Sequence, residues 1–239
     1  MSGEPWLILP TYIEADNIGR MLHAAGEVLR AAAPEGFRIL VVDDGSPDGT
    51  GTIAQSLADE HEWIEVLHRT EKNGIGPAYL AGFAHALAGG AGYVMEMDCD
   101  FSHDPADLAR LLGAVRAGAD LALGSRYVQG GGVSDWGALR RFISYGGSTY
   151  ARVVLGLRVR DLTGGFKCFR REVLESIQFG TVRSQGYAFQ VELTYRAVQA
   201  GFTVVEVPIV FRDRELGQSK MSWRIAVEAM WLVPRLRFR

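Results

Sequence analysis

At 239 residues the chain can form one large domain with a proper core, or two small ones. Hydrophobic residues at 48% and charged residues at 22% are ordinary for a soluble globular protein, and a formal net charge of -3 offers no global basic field to nucleic acid or anionic lipid. Cys99 and Cys168 stand far apart with no Cys-x-x-Cys or His pairing, which indicates neither a zinc site nor a disulfide framework and fits a reducing cytoplasm. Met1 to Pro5 lacks the basic and apolar regions of a signal peptide. No uninterrupted apolar run reaches about 18 residues, so membrane contact is expected to be peripheral.

In chain order, Trp6-Leu7-Ile8-Leu9 is a short apolar strand stopped by Pro10, and Thr11 to Asn17 form a polar loop into a helix. Arg38 to Val42 predicts a second strand, residues 50 to 60 a helix, and Ile64 to Leu67 a third strand. A turn at Asn73-Gly74-Ile75-Gly76-Pro77 leads into a helix over Ala78 to Leu87, and Tyr93 to Met97 is the buried central strand. Leu108, Leu111, Leu112 and Val115 mark another helix, and Asp120 to Gly124 another strand. Gly130-Gly131-Gly132 breaks all periodicity and reads as a flexible loop placed to act as a lid or acceptor-side flap. A helix over Ala138 to Leu155 follows, then the turn Asp161 to Lys167 entering a strand, the helix Phe189 to Ala200, the strand Thr203 to Val207 and a basic loop, Arg212 to Lys220. This alternation predicts an α/β fold, a mostly parallel twisted sheet with helices on both faces, as a single domain over 1–221. The tail over 222–239 is an amphipathic helix with Trp223, Trp231 and several arginines, suited to a membrane interface or to docking on the domain.

Three predicted strands end in polar or acidic groups: Pro10 to Glu14, Asp43-Asp44, and Asp98-Cys99-Asp100. The carboxyl ends of parallel strands are where nucleotides sit in open α/β sheets. Asp98 and Asp100, one residue apart, can project to the same side. Two carboxylates so close repel each other unless a divalent cation with oxygen ligands joins them, the alternative being a solvated acidic turn. The usual phosphate fingerprints fail: Gly74-Ile75-Gly76 lacks the third glycine, and no P-loop is present. Asp44-Gly45-Ser46-Pro47-Asp48-Gly49 imitates half of a calcium loop, but Gln55 stands where the closing Glu belongs and a strand precedes it. Diphosphate charge must therefore be met by a metal and by side-chain cations, for which Arg126, Arg140, Arg141, Lys167, Arg212, Arg214 and Lys220 are candidates.

Taken as an ordered set, Pro10-Thr11-Tyr12-Ile13-Glu14, Val42 to Thr50, Asp98-Cys99-Asp100, Gly124 to Tyr127, Asp161 to Phe166 and Arg214 to Lys220 resemble the polyprenol (dolichol) phosphate mannose synthases. These are inverting glycosyltransferases of family two with the GT-A fold, and the resemblance spans about residues 6 to 222. It implies GDP-mannose held at Pro10, Tyr12, Glu14, Val42 and Asp44 for the nucleoside, and at Asp98, Cys99 and Asp100 for the ribose-diphosphate. It implies Mg²⁺ or Mn²⁺ on Asp100, with Ser102 at the position where some relatives place a metal-binding Gln, and Cys99 where the family usually has Ala. Arg126, Arg140 and Ser144 fall where the family holds the lipid phosphate, and Lys167, Arg214 and Lys220 near the donor diphosphate. By the same resemblance the acceptor is a polyprenyl or dolichyl phosphate at a membrane surface. The C-terminal spans common among relatives are absent, so the tail or a membrane-anchoring partner protein is expected to bring the enzyme to its lipid. Two other readings stand beside this one. They are a lipid-phosphate glucosyl- or GlcNAc-transferase using a UDP-sugar, and a non-catalytic nucleotide-sugar-binding subunit.

Overall fold

The computed structural model describes residues 3–213 and 231–237. Strand β1 (Pro5–Thr11) leads to helix α1 (Ala15–Ala32), β2 (Arg38–Asp43), α2 (Thr50–Glu60), β3 (Ile64–His68), α3 (Ile75–Ala88) and β4 (Tyr93–Glu96). Helix α4 (Asp107–Arg116), β5 (Leu121–Ser125), a short β6 (Gly132–Val133) and α5 (Ala138–Leu155) follow. The rest is β7 (Lys167–Arg170), α6 (Arg171–Ser176), α7 (Gly186–Gln199), β8 (Val204–Pro208) and β9 (Val210–Phe211). Seven strands form one sheet in the order β3-β2-β1-β4-β7-β5-β8, and β6 pairs with β9 separately. β7 runs antiparallel to both β4 and β5, so the other strands share one direction and their carboxyl ends gather at one edge.

Alternation along the strands sorts the core. Leu7, Leu9, Ile39, Val41 and Met95 face α1 and α4 residues such as Ile18, Leu22, Leu108 and Leu112. Trp6, Ile8, Leu40, Val42 and Val94 face Tyr79, Phe83, Phe189 and Leu193 of α3 and α7. Runs of apolar residues buried on both faces are what a mostly parallel sheet requires. Gly82 permits the closest approach of α3, since a Cβ there would lie 2.4 Å from Ile8 Cγ2.

Two expectations are corrected. Pro10 does not stop β1, which runs on to Thr11. The Ile8 carbonyl bonds Met97 on the β4 side and the Thr11 carbonyl bonds Asp44 on the β2 side, so Pro10 turns its missing N–H toward β4. That strand has already ended at Glu96, and the ladder loses nothing there. Gly130 to Gly132 is not a free lid either. Gly131 and Gly132 donate N–H bonds to Val128 and Ile209, and a Cβ on Gly131 would meet the Ser125 carbonyl oxygen at 2.4 Å. The glycines serve close backbone approach, and they pin the segment onto Arg126.

Most of the predicted C-terminal helix lies outside the described residues. Residues 231–237 are helical, and Val233 and Leu236 are buried in a third cluster with Leu123, Ala151, Leu155 and Leu162.

Candidate active site

The loop after β1 and the loop after β2 are cross-braced. Asp43 accepts bonds from Thr11 Oγ1 at 3.2 Å, Ser46 N–H at 3.1 Å and Ser46 Oγ at 2.5 Å. Asp48 accepts from the N–H groups of Ala15 and Thr50 at 3.0 and 3.1 Å, and Thr50 Oγ1 accepts from the Glu14 N–H at 2.9 Å. These two acids are thereby committed to scaffolding. Asp44 is set apart, paired at 2.6 Å with Arg69 just beyond β3. Burial lifts its carboxyl above the usual range with help from Asp43, against the pull of Arg69. Lys72 lies over the Tyr12 ring at 3.6 Å. Pro10, Tyr12, Glu14 and Asp44 therefore share one edge with Arg69 and Lys72, while the Val42 side chain is wholly buried and offers only backbone.

Beyond β4 the chain turns at Asp98 to Ser102, with Phe101 in the left-handed region at φ 59°. Asp100 Oδ1 accepts the Ser102 N–H at 3.0 Å, and the Tyr79 hydroxyl lies 3.4 Å from Asp98 Oδ1. Burial and the neighbouring acids push the Tyr79 phenol well up, so it remains a donor to Asp98. Cys99 is buried and its thiol is likewise pushed up by burial, leaving a small neutral side chain between two acids. Among the described residues no group of three or more His, Cys, Asp or Glu side chains could hold a metal unaided. Two hard carboxylates fit a cation that completes its shell with water and substrate phosphate.

The second half of the site is built from β5, α5 and the 161–163 turn. Arg126 donates through Nε and Nη2 to the two Asp161 oxygens, each at 2.7 Å, and Nη2 also reaches Thr163 Oγ1 at 2.8 Å. Both partners are buried. Burial alone would raise Asp161, but the guanidinium and the N–H groups of Arg126 and Thr163 outweigh it and hold the carboxyl below its usual range. On α5, Arg140, Ser144 and Ser148 recur at the spacing of one helix face. Arg140 pairs with Asp213 at 2.9 Å, Ser144 Oγ accepts from the Tyr127 hydroxyl at 2.7 Å, and Ser148 meets Thr163 at 3.1 Å.

Lys167 needs correction: it was expected at the donor diphosphate, yet it is wholly buried. On β7 it stands opposite Glu96 of β4, and its ammonium bonds Glu96 at 2.9 Å and also Gln190 of α7. The charge is committed to an internal pair beneath the site. Arg214 and Lys220 lie outside the described residues.

The two halves meet. Burial lowers His103 to about 4, and its imidazole senses Asp100, Arg126, Asp161 and Lys167. Burial also raises the Tyr187 phenol, which Arg126 and Arg140 oppose and Asp98 reinforces. One hydroxyl at the start of α7 thus feels both the acid of the first half and the arginines of the second. Sequence reasoning missed Tyr187, along with Arg69, Tyr127 and Thr163 as site members. Usable signals were the cations Arg69 and Lys72 after a strand end, and the motifs Gly124 to Tyr127 and Asp161 to Phe166, which contain Tyr127 and Thr163.

A family model described as glycosyl transferase family 2 matches residues 6–178. The chain is 51% identical over 232 residues to a polyprenol monophosphomannose synthase of Mycolicibacterium smegmatis, covering 95% of this chain and 84% of that one. It is 47% identical over 228 residues to an undecaprenyl-phosphate mannosyltransferase of Micrococcus luteus, covering 95% and 91%. Among solved structures it is similar in fold to a mannosyltransferase from Pyrobaculum calidifontis in complex with GDP-Man and Mn²⁺. The TM-score there is 0.68 at 19% identity, over 98% of this chain and 65% of that one. It is also similar to a glucosyl-3-phosphoglycerate synthase from Mycobacterium tuberculosis, with a TM-score of 0.73 at 17% identity over 99% and 81%. The chain belongs to glycosyl transferase family 2, on the branch that holds these polyprenyl-phosphate mannosyltransferases.

Proposed function

We infer that the protein transfers mannose from GDP-mannose to a polyprenyl phosphate with inversion at the anomeric carbon, giving polyprenyl phosphate mannose. The observation that carries this reading is the packing of the two halves on Phe211: its ring lies 5.0 Å from His103 at the end of the acidic turn and 5.6 Å from the Arg126 Cζ, and the next residue, Arg212, donates its N–H to the Ser102 carbonyl at 3.0 Å. The names of the relatives point to mannose and a polyprenyl phosphate. A phosphate oxygen is already anionic at neutral pH, so attack on the sugar needs no general base. What the site must supply is orientation, and neutralisation of two anions that repel each other. Asp98 and Asp100 would hold Mg²⁺ or Mn²⁺, which supplies charge stabilisation at the departing diphosphate. Tyr79 keeps Asp98 in place, and the Ser102 N–H does the same for Asp100. Ser102 is the candidate for a further oxygen ligand. Pro10, Tyr12, Glu14, Asp44 and the backbone at Val42 and Cys99 form the nucleoside side, with Arg214 and Lys220 proposed at the diphosphate. Arg126, Arg140 and Ser144 orient the acceptor phosphate.

The deciding experiment combines the protein with a labelled nucleotide sugar, a polyprenyl phosphate and Mn²⁺ or Mg²⁺, with product analysis before and after EDTA. Mannose transfer from GDP-mannose that stops on chelation is the expected result. Transfer from UDP-glucose or UDP-GlcNAc instead would reassign the donor, and no transfer from any of them would leave a binding subunit.

Access to the lipid is proposed through α5. No helix among the described residues is long and apolar enough to cross a membrane. Next to Arg140, however, Leu139 is 72% exposed and Phe142 76%, with Ile143, Tyr145 and Val153 also uncovered on a helix that carries Arg140, Arg141 and Arg152. Apolar side chains flanked by arginines suit an interface of anionic headgroups over acyl chains. Burying a Leu or Phe contributes about 1.5–3 kcal/mol. The pair Leu139→Asp and Phe142→Asp is therefore expected to weaken co-sedimentation with anionic vesicles by at least about tenfold. Unchanged co-sedimentation would remove α5 from the membrane contact.

A further inference from the structure

Trp136 touches both arginines proposed for the acceptor phosphate. Its ring centroid lies 5.7 Å from the Arg126 Cζ and 4.2 Å from the Arg140 Cζ. Phe211 meets the indole at a steep angle with centroids 5.3 Å apart, and its own ring lies 5.6 Å from Arg126. The surrounding backbone is tied down. β6 pairs with β9, the Ser134 N–H bonds the Phe211 carbonyl at 2.9 Å, and Asp213 holds Arg140.

Two guanidiniums gathered to bind one anion repel each other while that anion is absent. Each already has one carboxylate partner, Asp161 for Arg126 and Asp213 for Arg140, and a further carboxylate would cancel charge that the ligand needs. An aromatic face attracts each cation through its quadrupole and leaves the formal charge intact. The second observation concerns the indole N–H. Trp136 is only 8% exposed, and its Nε1 is buried without a hydrogen-bond partner among the described residues. Buried donors are nearly always paired, so an unpaired one beside two arginines calls for an acceptor that arrives with a ligand.

We propose that Trp136 is a positioning residue for the acceptor: its ring sets the placement of Arg126 and Arg140, and its indole N–H donates to the phosphomonoester bound by them. The inference rests on the reading that a lipid phosphate occupies this half of the site.

Trp136→Phe keeps a ring and deletes the donor, whereas Trp136→Leu deletes the face as well. Three measurements on native protein and both variants test the proposal. They are transfer kinetics with polyprenyl phosphate varied at saturating GDP-mannose, GDP-mannose affinity by calorimetry, and direct titration of a short soluble isoprenyl monophosphate. The acceptor KM is expected to rise about fivefold in Trp136→Phe with kcat nearly unchanged, and about thirtyfold or more in Trp136→Leu. GDP-mannose affinity should stay within about twofold in both, because the ring packs on Arg126, Arg140 and Phe211. An acceptor KM within about twofold of native in Trp136→Leu overturns the proposal. So does a parallel loss of donor affinity, which is what general loosening of the domain produces. If Trp136→Leu does not fold, Trp136→Phe decides alone by the same split. Should the native protein transfer nothing to polyprenyl phosphate, the transfer reading falls and the titration judges the site. Binding of the short phosphate by native protein that is lost in the variants upholds the proposal, and no binding by native protein ends it.

Discussion

Asp100→Asn is expected to lower transfer by about a thousandfold while leaving the domain folded. The carboxylate is only 3% exposed and accepts the Ser102 N–H, so its shape is part of the turn that follows β4. An amide oxygen can still accept that bond, and the backbone beside Phe101, at φ 59°, keeps its anchor. Charge is what disappears, and with it one of the two carboxylates proposed to hold the metal. In EDTA the sign of the stability change is informative. With one negative charge fewer in this buried turn, Asp100→Asn should melt at or above the native temperature there. Added Mn²⁺ should raise the native melting temperature and leave that of the variant unmoved. Asp100→Ala should lose activity equally but melt lower, because it strands the buried Ser102 N–H at a cost of about 1–3 kcal/mol. An Asp100→Asn protein retaining more than about a tenth of native turnover would reject the metal-ligand role.

That prediction was legible in the sequence because it depends on local spacing. Acids one residue apart just beyond an apolar strand stay close along the chain, although here they stand in the turn after Glu96 and not on the strand itself. The register and direction of the strands were less legible, since they depend on partners distant in sequence. β7 carries a short apolar pattern, and nothing in it says that it inserts between β4 and β5 or that it runs backward. The same ignorance misplaced Lys167. Its charge reads as a surface cation until Glu96 is found opposite it in the sheet. Gly130 to Gly132 failed for a related reason: absence of a side chain marks either freedom or close contact, and only the Ser125 carbonyl beneath Gly131 decides between them. Tyr187 and Trp136 carried no signal at all. An aromatic residue near a helix start or in a glycine-rich loop is ordinary, and only tertiary packing brings these two beside the arginines.

Asp161→Asn is expected to destabilise the protein by about 3 kcal/mol at neutral pH and to raise the acceptor KM more than tenfold, by about the same amount as loss of Arg126. Asp161 is fully buried and accepts three bonds from Arg126, two from the guanidinium and one from the backbone N–H. Removing the negative partner leaves a guanidinium that cannot shed its proton at a position only 7% exposed. The pH dependence separates this account from simple loss of packing. Asp161 has its folded-state carboxyl held below the ordinary range. Its stabilisation is therefore complete above the unfolded value of about 3.9 and is lost as pH falls through the lower folded value. The native advantage over Asp161→Asn should accordingly be constant from about pH 7 to 5 and shrink as pH drops below about 4, in denaturant titrations run across that range. A gap that stays the same at every pH would assign the loss to packing. A gap below about 1 kcal/mol at neutral pH would mean that Arg126 is held elsewhere. Arg126→Met together with Asp161→Leu should recover most of the stability and none of the acceptor binding, since an apolar pair can replace a buried ion pair in the core but cannot meet a phosphate.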